Sequence, residues 1–312
     1  MKILVTGGCG NMGPHIIRKL SELGHNVRTI DLDQEGLKQF ENTAVETFCG
    51  NLNDRELVRS AVKGMDAIIH LAWSFSASFA ELMDIDIKGY LNLLDAAVEF
   101  NVKHVVNTTT CVSYGKPLSK PVNEDQAHQV SLSRGPAYAL AKLTTEELSR
   151  IYAREHGLQV NSMMVWYAFG DVIGGRNLRA MIKDAIVKGE ITIPAGSGGS
   201  FIQLDDYVTQ ALAIMDSNIK GELFNAVTVY LTWEDVAQII VNRYAPSAKV
   251  NAIPPEQWTG SVFLTDDWPL STEKSERLLG FKSAMTREEA MASLGRALDA
   301  SAARVKRELA SA

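Results

Sequence analysis

Three cysteines among 312 residues, Cys9, Cys49 and Cys111, are too few and too scattered for a disulfide framework or a metal-ligand set. Reduced thiols in a cytoplasmic protein are the expectation. The six histidines form no HxH or HExxH pattern, so no catalytic metal is expected. Positive charge is also short: Lys and Arg total 31 against 37 Asp and Glu, a net charge of −6. A chain of that sign lacks the basic footprint of a nucleic-acid binder and is not drawn to anionic membranes. No apolar run reaches the roughly 18 residues of a membrane helix. The first residues enter a strand at once, so no signal peptide is expected. Repeats and low-complexity tracts are absent from the sequence.

What remains is an ordinary globular composition, 46% apolar and 22% charged, with one informative start. Residues 2–5 (KILV) read as a buried strand. Residues 6–13 (TGGCGNMG) follow, and a helical pattern runs over 14–23. A strand, a glycine turn and a helix start are what a pyrophosphate site needs. Glycine lets backbone N–H groups approach phosphates, and the helix N-terminus adds partial positive charge. Gly7, Gly10 and Gly13 are spaced three and three, where the usual dinucleotide fingerprint begins with a spacing of two. Residues 27–30 read as a second strand ending at Asp31, about 20 residues past the glycines, where a carboxylate can accept from ribose hydroxyls. That carboxylate would repel a 2′-phosphate, and Arg28 lies inside the strand. The pattern predicts NAD rather than NADP.

Strands and helices alternate through the first half, with strands near 45–49, 66–72, 102–108 and 159–166 and helices over 33–41, 54–63, 79–100 and 136–154. This predicts an α/β fold, a Rossmann-like doubly wound parallel sheet, with a smaller mixed α/β C-terminal lobe. Residues 1–170 are expected to form the dinucleotide domain. Residues 171–312 are expected to form mostly the substrate lobe, some segments returning to the main sheet. Residues 194–199 read as a flexible loop, and the tail from Thr286 as a terminal helix. Ligands bind at the C-terminal ends of parallel strands. Gly7, Gly10, Asn11, Met12, Gly13, Asp31, Asn51, Leu71, Ala72, Trp73, Thr108 and Thr110 are therefore expected around one crevice.

Tyr138 and Lys142 stand four apart on a predicted helix, on one face. A free tyrosine has a pKa of about 10, and a nearby ammonium lowers it. A tyrosine so tuned can exchange a proton with an alcohol or carbonyl while hydride moves. Thr110, at a strand end, can orient the substrate oxygen.

Together these stretches resemble the extended short-chain dehydrogenase/reductase superfamily, which includes nucleotide-sugar epimerases and dehydratases. Residues 6–13 match its TGxxGxxG, and 70–73 (HLAW) its HLA segment. Residues 108–115 (TTTCVSYG) resemble SSSxxVYG, Tyr138 and Lys142 match YxxxK, and 201–206 (FIQLDD) resemble the end of RDFIHVDD. The resemblance runs from Met1 to about Tyr207. It implies Thr110, Tyr138 and Lys142 as catalytic residues, with Asn51 and Leu52 flanking the adenine. It also implies a homodimer through a four-helix interface around Leu91 and Tyr138.

Departures from the pattern narrow the expectation. Family dehydratases carry an Asp-Glu pair after the catalytic hydroxyl, where this chain has Cys111-Val112. Nucleotide-sugar enzymes usually carry an arginine before FIHVDD and an asparagine after the sixth strand. Here those positions hold Gly199-Ser200 and Tyr167, which removes the cationic partner of a diphosphate. The family asparagine on the helix after the HLA segment is Asp86. Ser74, Phe75, Thr110, Cys111, Tyr167 and Phe169 are the expected substrate residues, Tyr167 also touching cofactor. Strand alternation lets only one of Trp166 and Tyr167 face the substrate. The expected function is an NAD-dependent oxidoreductase of a hydroxyl or carbonyl carbon in a sugar, sugar acid or similar small molecule. The alternatives are an NAD-retaining epimerase and a non-catalytic dinucleotide sensor.

Overall fold

The computed structural model describes residues 1–76 and 78–311. Its strands are β1 (Lys2–Thr6), β2 (Asn26–Asp31), β3 (Glu46–Cys49), β4 (Ala67–His70), β5 (His104–Thr110), β6 (Gln159–Val165), β7 (Tyr167–Phe169), β8 (Glu190–Pro194), β9 (Gly198–Gln203), β10 (Leu223–Asn225), β11 (Val229–Thr232), β12 (Lys249–Ile253) and β13 (Asp267–Trp268). The longer helices are α1 (Gly13–Glu22), α2 (Arg55–Val62), α3 (Lys88–Glu99), α4 (Pro136–Glu155), α5 (Arg176–Lys188), α6 (Leu204–Asp216) and α7 (Trp233–Tyr244), followed by three C-terminal helices.

Seven strands form one parallel sheet in the order β10-β6-β5-β4-β1-β2-β3. Its central strands are apolar on both faces because helices cover both. Ile3, Leu4, Val5, Ile68, Ile69, Val105 and Val106 are fully buried. α1 and α6 pack on one face through Ile16, Ile17, Leu20, Tyr207 and Val208. α2, α3 and α4 pack on the other through Val58, Tyr90, Leu93, Leu94 and Tyr152. The chain leaves β1 for β2 on one side, and β4 lies on the other, so the crevice opens where strand order reverses. A second sheet, β11-β9-β13 with β7 on β9, and the pair β12-β8 build the lobe. Residues after 170 are not confined to that lobe: β10 joins the main sheet and α6 covers it.

Several expected elements differ. The helix over 33–41 is one turn, Gln34–Leu37, capped by Asp33 and continued by a 3₁₀ turn, Lys38–Phe40. The helix over 79–100 is broken by a π segment, Leu82–Ile87, before α3. The sixth strand stops at Val165, and residues 167–169 cross to the second sheet. The supposed flexible loop is a short turn leading into β9, whose residues are all buried. The tail is two helices, Arg287–Ala297, capped by Thr286, and Asp299–Ala310.

The tightest point is the glycine turn. Gly7 has φ +75°, and a Cβ there would lie 2.8 Å from the Ala72 backbone just past β4. Gly7→Ala therefore meets left-handed strain of about 1–2 kcal/mol and a backbone clash. Its expected outcome is a lowered Tm together with lost NAD affinity, read by thermal melting and cofactor titration.

Candidate active site

A cavity of about 610 Å³ lies over the crevice. Gly7, Gly10, Asn11, Met12, Gly13, Asp31, Asn51, Leu52, Leu71, Ala72, Trp73, Ser74, Phe75, Thr108, Thr110, Tyr138, Lys142 and Tyr167 all line it. Two expected residues do not. Phe169 is fully buried in the lobe core, edge-on to Phe201 at 6.3 Å. Cys111 opens a buried 3₁₀ turn, Cys111–Tyr114, and burial pushes its thiol well above the ordinary range, so it is no nucleophile here.

The glycine end fits a dinucleotide. No side chain caps the start of α1 and no acid sits in its first turn, so its free N–H groups are left for an anion. Thr6 fixes the floor: its Oγ1 bonds His70 Nδ1 at 2.8 Å and accepts from the N–H groups of Leu71 and Ala72 at 3.2 Å. Asp31 accepts from Cys9 N at 2.8 Å and Asp33 N at 2.9 Å, which holds its carboxylate at the cavity wall. Arg28 is bound to Glu46 at 2.8 Å and to the Ala61 carbonyl at 2.7 Å, so it offers nothing to a 2′-phosphate. The donor set therefore suits NAD.

The other end gathers the reactive groups. β5 ends in three threonines with three partners. Thr108 shares a 2.7 Å hydrogen bond with Tyr207, Thr109 donates to Glu146, and Thr110 Oγ1 accepts from the Val112 N–H at 3.4 Å while lining the cavity with Tyr138. Lys142 donates to the Thr108 carbonyl at 2.9 Å, with its ammonium 3.7 Å from the centre of the Trp73 ring. Burial pushes Lys142 down to about 7, although Asp86 and Glu146 pull it back up. Burial also raises the Tyr138 phenol. The groups opposing that rise are first the Thr110 hydroxyl and then the Arg134 guanidinium. The Lys142 ammonium is turned to the Thr108 carbonyl on the strand beside Tyr138.

Asp86 is aimed inward by the π segment. It accepts from Ser74 N at 2.8 Å and from Ser74 Oγ at 2.6 Å. Glu146 is the residue that sequence reasoning missed. It is 1% exposed and binds the hydroxyls of Thr109 and Ser113, on either side of Thr110. Its place eight residues after Tyr138 and four after Lys142, on one helix face, was the available signal.

The sequence profile described as the NAD dependent epimerase/dehydratase family matches residues 3–226. The chain belongs to this family. Membership makes it an NAD-dependent enzyme acting at a hydroxyl- or carbonyl-bearing carbon. It is 27% identical over 261 residues to protein y4nG of Sinorhizobium fredii, covering 80% of this chain but only 62% of that one. It is 25% identical to sterol demethylase protein B of Methylococcus capsulatus, covering 85% of this chain and 81% of that protein. The fold is similar to that of UDP-glucose 4-epimerase of Thermotoga maritima, solved with UDP-glucose, with a TM-score of 0.78 and 23% identity over 96% of this chain and 98% of the other.

Where the family pattern has its arginine, the structure shows why this chain has Gly199. The Trp166 indole lies on that glycine, and a Cβ there would come within 2.4 Å of the ring. Trp166 stacks on Phe263 at 5.6 Å and meets Phe201 edge-on at 5.1 Å. Tyr167 donates to the Gly174 carbonyl at 2.6 Å. Both Trp166 and Tyr167 line the cavity, contrary to strict alternation, because the strand breaks between β6 and β7 at Trp166.

The buried ammonium gives a test. With a folded pKa near 7 against the ordinary 10.5, the unfolded chain holds this proton more tightly across that window. Stability therefore rises with pH from about 7 toward 10.5, and the full burial penalty stands below 7. Lys142→Met removes the penalty. Its Tm is expected to exceed the parent's by a few degrees, about the shift of 1 kcal/mol, at pH 6.5, the gap closing toward pH 10.5 in melts across that range.

Proposed function

We propose that this chain is an NAD-dependent dehydrogenase or reductase of a small molecule carrying no nucleotide. The observation that carries the reading is the Trp166 indole on Gly199, an aromatic wall where the family pattern carries a cation. The sequence similarity to sterol demethylase protein B is in keeping with a substrate that is not a nucleotide sugar.

NAD bound along the crevice would supply the hydride chemistry: Asp31 would hold its ribose hydroxyls, and the open N-terminus of α1 would hold its pyrophosphate. Tyr138 gives or takes the proton at the substrate oxygen, and Thr110, which lines the same cavity, orients that oxygen. Lys142 stands behind both, fixed by the Thr108 carbonyl and the Trp73 ring, and holds the cofactor side of the pocket in place. Ser74, Phe75 and Tyr167 form the substrate side. The roles of Asn51 and Leu52 are at the adenine end, where Leu52 packs on Gly89.

We also read the chain as a homodimer through α3 and α4. Leu140 and Ile151 on α4 stay exposed in the single chain, at 41% and 36%. No described helix is long and apolar enough to cross a membrane. A cytoplasmic site for the enzyme rests on its three free cysteines.

Tyr138→Phe keeps the ring and removes the proton. It is expected to lower kcat by about 10²–10⁴-fold with NAD affinity unchanged, read as NADH absorbance and by cofactor titration. A variant with full activity would sink the assigned role. The unmodified protein is expected to bind NAD more tightly than NADP, and Asp31→Ala to narrow that gap in the same titration.

A further inference from the structure

We propose that the substrate is an uncharged ring alcohol or ketone whose body is largely apolar, an aromatic or alicyclic compound with few hydroxyls. This rests on the dehydrogenase reading above and names the substrate class of that same site.

The first observation is the wall around Tyr138. Trp73 meets the Tyr138 ring edge-on at 5.7 Å, and Phe75 lies 6.0 Å from it. Trp166, Tyr167, Ile85 and Val172 line the same cavity. Phe75 is 75% exposed, with φ +52°. A large apolar ring held on a left-handed backbone at the mouth is costly unless it has a task. Packing against an apolar substrate is such a task.

The second observation is that the carboxylate and the phenol of this wall already have partners, while the unpartnered indole N–H groups of Trp73 and Trp166 are buried away from the cavity surface. Both Asp86 oxygens are taken by Ser74, through its N–H and its hydroxyl. The Tyr167 hydroxyl is committed to the Gly174 carbonyl. A polyol seated here would lose water from several hydroxyls and find few partners, each loss weakening its binding. A compound with one reactive oxygen leaves that oxygen to Thr110 and Tyr138 and buries carbon elsewhere.

The third observation is charge. At the reactive end the cavity wall holds the carboxylate of Asp86 against the amine of Lys142, which is spent on the Thr108 carbonyl and the Trp73 face. Arg134 is bonded to Asp266 at 2.8 Å and lies over the Phe263 ring at 4.7 Å. Arg179, whose charge reaches Tyr167, is not part of the wall. A phosphorylated or carboxylated substrate has no free cation on that wall to meet it.

The chemistry balances with NAD alone. The carbinol C–H bond breaks and its electron pair leaves as hydride to the nicotinamide. The O–H proton passes to the Tyr138 oxygen and on to solvent. A ketone or aldehyde, NADH and one proton result, and the reverse reduces the carbonyl.

The test uses the purified full chain with NAD and follows the reduced-nicotinamide absorbance. The probes are cyclohexanol, benzyl alcohol and a hydroxysteroid against glucose, glucuronate and UDP-glucose. At least one ring alcohol is expected to exceed every sugar in kcat/KM by about tenfold or more. Phe75→Ser, at a position 75% exposed, is expected to raise KM for that alcohol about tenfold with kcat nearly kept. Turnover of a sugar or UDP-glucose in preference to every ring alcohol overturns the substrate class and leaves the hydride chemistry standing. An unchanged KM in Phe75→Ser removes the aromatic wall from substrate binding and overturns the proposal as well. Silence toward all six probes, with tightly held NAD released on denaturation, overturns the dehydrogenase reading and this inference with it.

Discussion

One buried ammonium organises the reactive half of this protein. Lys142 is 5% exposed, and leaving its charge unpaired in that position would be costly. The structure answers with a carbonyl, a ring face and two carboxylates. The Thr108 carbonyl accepts its hydrogen bond, the Trp73 ring faces it, and Asp86 and Glu146 favour its charged form. Each of these partners fixes something else. Asp86 holds Ser74, Trp73 packs on Tyr138, and Glu146 braces the turn after Thr110. His70 is kept neutral first by its own burial and then by the same ammonium, its pKa pushed down to about 3, and it remains a hydrogen-bonding post for Thr6. The electrostatic demand of a single side chain thus reaches the glycine turn, the π segment and the proton-transfer pair.

The end of β5 shows how a parallel strand distributes such demands. Successive residues point to opposite faces, so three adjacent threonines serve different neighbours. Thr108 reaches Tyr207 on α6, and Thr109 reaches Glu146 on α4. All three line the cavity, and Thr110 ends the strand there beside Tyr138. The helices on the two faces of the sheet are therefore pinned to the strand end that carries the reacting hydroxyl. A shift of either helix would move Thr110 against Tyr138, which gives the polar packing of the core a direct link to site geometry.

How far the sequence shows this depends on whether a feature is local. The glycine turn, the parallel alternation and the Tyr138/Lys142 face are set by residues within a few positions, and they are where the pattern puts them. The π segment at Leu82–Ile87 is not, because the extra residue is accommodated where Asp86 meets Ser74 across the pocket. Phe169 and Cys111 look like site residues because they follow strand ends. Position along a strand does not state depth, and both fall inside packed cores. Glu146 was visible as the third member of a four-residue period, but a glutamate on a helix more often marks a solvated face. Only its burial among the hydroxyls of Thr109 and Ser113 sets it apart.

Two departures from the family pattern that stand 32 residues apart in sequence, at Tyr167 and Gly199, are one event in space. With any side chain at 199 the Trp166 indole could not lie where it does. Without that indole the aromatic cluster of Phe201, Trp233 and Phe263 would lose its central ring. The cluster closes the lobe behind the cavity, and Tyr167 continues it to the wall through Phe201 and Phe263. An arginine at 199 would have to displace an indole packed on four other rings. The pocket's selectivity is built into the core of the lobe rather than carried by a detachable surface residue, and that ties the chemistry it accepts to the stability of the fold.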